Sequence, residues 1–191
     1  LPDTFWSITY DTASVTSLHA IAAAREQLDM GIRQHGMVGR DDLPKLRIYA
    51  SQEAHSSIEK AVLTLGLGMD SLRKIGVDDS FRMDPDALQE AIEQDKADGW
   101  LPFCAVATIG TTSTTSIDPV QDIAAICRRQ SIWLHVDAAY AGPAAMLPEK
   151  RPLFEGWQQA DSIVVNPHKW LFTNFDCSIF YMRSPSILAS A

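Results

Sequence analysis

Phe103-Cys104-Ala105-Val106-Ala107 is five apolar residues in a row, with Ile109 just beyond. A strand with one wet face alternates apolar and polar positions. A strand that is apolar throughout is covered on both faces, and such strands belong to a mostly parallel sheet in an α/β domain. Ile132 to Val136 and Ser162 to Val165 read the same way. Leu46 to Ala50, Ser71 to Val77 and Ser178 to Met182 are the remaining candidate strands.

Helical patterns fall between these runs. Thr12 to Leu28 carries an apolar stripe through Leu18, Ile21, Ala22 and Leu28. Ser56 to Leu67 ends among Gly66 and Gly68. Asp84-Pro85 is a helix start, a capping acid followed by proline at the first helical position, and that helix runs to about Ala97. Asp118-Pro119 repeats the signal for a helix reaching Arg129. Gly31 to Lys45 reads as a polar connection.

Of the 191 residues, 46% are hydrophobic and 21% charged, which suits one globular domain with a sizeable core. The net charge of -8 argues against nucleic acid or an anionic membrane as partner. No stretch reaches the roughly 18 apolar residues of a membrane helix. Cys104, Cys127 and Cys177 are odd in number and lie in apolar surroundings. They read as reduced, buried thiols of a cytoplasmic protein, with no disulfide frame and no metal site. The first residue is Leu1, no signal peptide is visible, and the expectation is a fragment of a longer protein.

In such sheets ligands collect at the carboxyl ends of strands. Asp137 and Thr112 fall at strand ends, and His55 lies just past one. Lys169 sits in Asn166-Pro167-His168-Lys169-Trp170, between the apolar runs Ile163-Val164-Val165 and Trp170-Leu171-Phe172. Flanks of that kind predict an enclosed amine, with desolvation helping it act as a nucleophile. A lysine and a strand-end aspartate are what pyridoxal phosphate (PLP) requires: an amine for its aldehyde and a carboxylate for its pyridine nitrogen. The small residues Ala138, Ala139, Ala141 and Gly142 leave room for a flat ring beside Asp137. His55 offers an aromatic face to stack on that ring. Thr12-Ala13-Ser14 opens a helix whose free N–H groups suit a phosphate. Thr112 offers a hydroxyl. Taken singly, each has a plain structural reading: surface lysine, turn aspartate, turn histidine, N-cap and turn threonine.

Together, His135-Val136-Asp137-Ala138-Ala139-Tyr140-Ala141-Gly142, Ala160-Asp161-Ser162 and Asn166-Pro167-His168-Lys169-Trp170 resemble the group II PLP-dependent decarboxylases, in their aromatic-L-amino-acid decarboxylase branch. The resemblance runs from Asp11-Thr12-Ala13-Ser14 to Asn174-Phe175-Asp176-Cys177. It implies the fold type I large domain, a mostly parallel seven-stranded sheet flanked by helices. Residues 1–191 would be its central part, without the N-terminal segment and the small C-terminal domain. Lys169 would be the Schiff-base lysine, Asp137 the partner of the pyridine nitrogen and His55 the stacking residue. Ala13, Ser14, Asn166 and His168 would hold the phosphate, Ala139 would pack against the ring, and Thr112 would contact its polar edge.

The implied reaction is decarboxylation of an aromatic L-amino acid to its amine and CO2, by a homodimer in the full-length protein. Tyr140-Ala141-Gly142, in place of Trp-Gly-Gly, and His168, in place of Ser, favour this branch over glutamate and histidine decarboxylases. Val15-Thr16 departs from the Glu-Ala often found there. The alternatives are another group II decarboxylase (glutamate, histidine or sulfinoalanine), an aromatic aldehyde synthase, another type I PLP enzyme such as an aminotransferase or desulfurase, and an inactive truncated chain.

Overall fold

The computed structural model describes all of residues 1–191. Seven strands form one sheet: β1 (Trp6–Tyr10), β2 (Lys45–Ser51), β3 (Leu72–Ile75), β4 (Trp100–Thr108), β5 (Trp133–Asp137), β6 (Ser162–Val165) and β7 (Ser178–Met182). Their spatial order is β1-β7-β6-β5-β4-β2-β3. The pairs from β3 through β2, β4 and β5 to β6 are all parallel. Only β7 runs against its neighbours, β6 on one side and β1 on the other.

The helices are α1 (Ala13–Glu26), α2 (Ile32–His35), α3 (Ser57–Thr64), α4 (Pro85–Ala97), α5 (Val120–Gln130), α6 (Pro167–Trp170) and α7 (Pro185–Ser190). They cover the sheet in two layers. Ala20, Ile21 and Ala24 of α1 and Ile58 and Val62 of α3 pack on Ile48, Val106 and Trp133. Leu88 and Ile92 of α4 and Ile123 and Cys127 of α5 pack on Ala105, Leu134 and Val136 of the other face. From Cys104 to Ala107 successive residues of β4 enter opposite cores, which is why that stretch is apolar without alternation.

Two helix starts are as read from the sequence. Thr12 accepts from the Val15 N–H at 3.4 Å, and Asp84 accepts from Asp86 N–H at 2.9 Å. Asp118 departs from expectation. It does not cap α5, which begins at Val120 after Pro119. Its carboxylate is buried and accepts from the N–H groups of Met83 and Thr108, each at 2.7 Å. Those two long-range bonds outcompete the local cap.

Several other segments differ as well. The Ser71–Val77 run narrows to the four residues of β3. The polar connection after α1 contains α2. Residues 142–159 form three short 3-10 turns, and β1 is an additional edge strand. Cys104 and Cys127 are buried, and desolvation pushes the Cys127 thiol up to about 12. Cys177 is only half-buried, because it lies beside a surface loop and not within the core. No helix is long and apolar enough to cross a membrane.

Candidate active site

The chain runs from β2 to β3 on one flank and then crosses back to β4, so the strand order reverses between β2 and β4. Near that reversal the carboxyl ends of β4, β5 and β6 meet the N-terminus of α1 around a cleft of about 280 Å³. Ala13, Ser14, His55, Thr112, Asp137, Ala139, Asn166, His168 and Lys169 all line it. Thr108, Asp137, Ala139 and Asn166 are buried and make the floor. Ser14, His55, Thr112 and Lys169 are exposed and make the rim. Of four larger hollows, of about 390 to 840 Å³, three contain no lysine, and the fourth has Lys74 but no aspartate.

The floor is set by β5. Asp137 and Ala139 follow a strand locked between β4 and β6. Asp137 Oδ1 accepts from the Ala139 N–H at 3.0 Å, and the Ala139 carbonyl accepts from Asn166 N–H at 3.2 Å. Two residues before Asp137, His135 is fully buried. Its Nδ1 lies 2.9 Å from Ser162 Oγ, and its Nε2 lies 3.5 Å from Ser17 Oγ of α1. Trp133 Nε1–H donates to the same Ser162 oxygen at 3.0 Å. Burial lowers the His135 pKa to about 4, although nearby Asp137 works the other way. The imidazole is therefore neutral at pH 7, leaving Asp137 the only charge on this part of the floor.

Lys169 lies in α6, a single turn whose proline is at its first position. Its amine is exposed, contrary to the enclosure expected from its flanks. Leu171 and Phe172 face outward, and Trp170 packs edge-on to Tyr140 with ring centroids 5.5 Å apart. None of them covers the amine.

The hydrogen bonds of His168 orient Asn166. Cys177 N–H donates to His168 Nδ1 at 2.8 Å. A ring that accepts at Nδ1 carries its proton on Nε2. Asn166 Nδ2 lies 3.3 Å from that Nε2, and Oδ1 is buried with no partner; two donors do not bond, so the amide is to be turned over. The proton on Nε2 calls for the amide oxygen, so the NH2 group is the one turned to the cleft.

His55 is held in the same manner. Ser57 N–H donates to its Nδ1 at 3.1 Å, which leaves a protonated Nε2 and the ring face free. Thr112 is carried on a loop tied by its neighbour, since Thr111 Oγ1 lies 2.6 Å from Thr114 Oγ1 and 2.9 Å from Ser116 Oγ. The loop turns at Gly110, whose φ is +87° and where a Cβ would lie 2.8 Å from the Ala141 Cβ. Only glycine fits there.

The family model for the pyridoxal-dependent decarboxylase conserved domain matches residues 5–191. The chain belongs to this family. It is 46% identical over 182 residues to the aromatic-L-amino-acid decarboxylase of Sus scrofa, covering 94% of this chain and 37% of that one. Among solved structures, mouse CSAD superposes with a TM-score of 0.91 at 37% identity, covering 96% of this chain and 38% of that one. Oryza sativa TDC with PLP and tryptamine superposes with a TM-score of 0.87, also at 37% identity, covering 97% and 38%. The chain thus spans little more than a third of the relatives it matches.

The family's cofactor suits the residues present. The floor offers one carboxylate, an unpartnered hydroxyl at Thr108 and the free amide group of Asn166. The first turn of α1 and the NH2 group of Asn166 are donors for an anion. The Lys169 amine stands on the rim for an aldehyde. Sequence reasoning did not single out Thr108 or Ser57. Thr108 in a strand reads as an ordinary β-former, whereas Gly110 directly before Thr111-Thr112 was a legible sign of a tight turn beside the site.

Proposed function

We propose that this chain is the central part of the cofactor-binding large domain of a PLP-dependent decarboxylase. The complete protein takes an aromatic L-amino acid to its amine and CO2. One observation carries the reading: a lysine amine on the rim and a buried aspartate in the floor share a cleft with every other residue expected to hold the cofactor. The family membership and the relatives named for aromatic amino acids support it.

PLP, when bound, supplies an electron sink for the bond to the departing carboxylate. The chain's own residues do the rest. Asp137 would hold a proton on the ring nitrogen, with the neutral His135 two residues before it on the same strand. The N–H groups at Ala13 and Ser14 and the Asn166 amide bind the phosphate. His55 lies against the ring, Ala139 leaves it room, and Thr112 meets its polar edge. Lys169 would hold the cofactor's aldehyde through its amine. We place the full-length protein in the cytoplasm, in keeping with its unpaired cysteines, and as a homodimer.

The test is borohydride reduction of the PLP-loaded full-length protein, followed by digestion and mass spectrometry. A single pyridoxyl adduct on Lys169, with release of CO2 from tryptophan, tyrosine or dihydroxyphenylalanine, is expected. An adduct on another lysine would overturn the assignment.

A further inference from the structure

Thr108 is the last residue of β4, and its Cα is paired in register with that of Asp137 at the end of β5. In parallel strands, residues in register point to the same face. That face is the one α1 covers: Val106, two residues before Thr108, and Trp133, four before Asp137, both lie in the core under α1. Thr108 and Asp137 thus stand side by side in the floor of the cleft, and both line it.

The backbone of Thr108 is fully bonded. Its N–H donates to Asp118 Oδ2 at 2.7 Å, and its carbonyl accepts from the Asp118 N–H at 2.9 Å. Its side chain is only 4% exposed, yet Oγ1 has no hydrogen-bond partner. An unpartnered buried hydroxyl destabilises a fold, and valine would fill the same strand position without that cost. Of the unpartnered buried polar atoms, those of Thr108 and Asn166 belong to residues that line the cleft. The polar groups around Asp137 narrow the choice of partner. Ala139 N–H occupies Oδ1, and His135 is engaged with Ser162 and Ser17. Val164, in register on the β6 side, is apolar.

We propose that Thr108 is a positioning residue for Asp137: its hydroxyl donates to the carboxylate oxygen that Ala139 leaves free and sets the tilt at which Asp137 meets the PLP ring nitrogen. No other group in the structure takes up the hydroxyl. The inference rests on the PLP-dependent reading above.

The experiment compares Thr108→Val and Thr108→Ser with the wild type in the full-length gene product. Thermal midpoints are read on PLP-free protein, and PLP affinity is read by quenching of tryptophan fluorescence. Thr108→Val keeps the shape and removes the orphan. It is expected to raise the PLP-free midpoint by about 2–4 °C and to weaken PLP binding about tenfold, as for one lost charge-assisted hydrogen bond. Thr108→Ser keeps the hydroxyl and should bind PLP within about twofold of wild type.

A purely structural threonine would lower the midpoint and the affinity together, and that outcome overturns the proposal. So does wild-type PLP affinity in Thr108→Val, or affinity as weak in Thr108→Ser as in Thr108→Val. Borohydride labelling of the wild type separates the two levels. Labelling at Lys169 with an unaffected Thr108→Val removes only this inference. Labelling elsewhere removes the functional reading, and the inference with it.

Discussion

The backbone N–H of Cys177 donates to His168 Nδ1 across 2.8 Å, and that bond fixes which way the Asn166 amide points. With its oxygen toward the protonated His168 Nε2, the amide turns two N–H donors into the cleft. Asn166→Asp keeps the shape and the bond to His168 but places a negative oxygen where the phosphate is proposed to bind. PLP affinity, measured by equilibrium dialysis, should fall by about 10- to 100-fold. Unchanged affinity would mean that the amide does not face the phosphate.

His135 makes stability depend on pH in one direction. Its pKa is about 4 in the folded chain, against an ordinary 6.5. Between these values the unfolded chain takes up a proton that the native imidazole refuses. The stability His135 contributes is therefore present above pH 6.5 and lost as the pH falls through 4. His135→Gln cannot titrate and can still bond both serines. The advantage of wild type over His135→Gln in urea unfolding should shrink by about 3 kcal/mol from pH 7 to pH 4. A difference independent of pH would rule out the buried neutral histidine.

Asp118 acts with the opposite sign. Desolvation raises its pKa to about 6 from 3.8, even though two N–H groups favour the charged form. The native carboxyl then holds a proton that the unfolded one has lost. Its contribution is present below pH 3.8 and is lost as the pH rises through 6. Relative to Asp118→Asn, wild type should lose about 3 kcal/mol across that window in the same urea measurement. Because His135 and Asp118 oppose each other, the differences of the two variants from wild type should slope in opposite directions between pH 4 and 6. Parallel profiles for both variants would count against this pair of assignments.

The strands that were legible in the sequence are those buried on both sides. Phe103 to Ala107 could be read because its residues feed the cores on both faces of the sheet. β1 could not, because it is an edge strand whose residues are exposed or half-exposed, with no burial pattern to betray it. Lys169 and Asp137 were legible as motifs, and so was the convergence of the helix start at Thr12 with the strand ends. The exposure of the Lys169 amine was not, because the outward aim of Leu171 and Phe172 depends on packing and not on local composition. Asp118 looked like a cap because its partner Met83 is 35 residues away and no local pattern signals it. Thr108 was hidden for a related reason: its significance lies in a register pairing across strands.

Gly110 links backbone geometry to the site. Its φ of +87° is rare for a residue with a side chain, and a Cβ there would stand 2.8 Å from that of Ala141 and 3.2 Å from the Ala141 backbone nitrogen. The contact is with backbone and a short side chain, so neither can swing aside. The loop it begins carries Thr112, and the segment it touches follows directly from Asp137 and Ala139. Gly110→Ala should therefore destabilise the fold by about 2–4 kcal/mol, from the strained dihedral and the overlap together. It should also weaken PLP binding, because relief of the clash must move either Thr112 or the segment after Ala139. Thermal unfolding and PLP titration on the same preparation check both parts. A loss of stability with full PLP affinity would mean that the loop moves and Thr112 does not contact the cofactor.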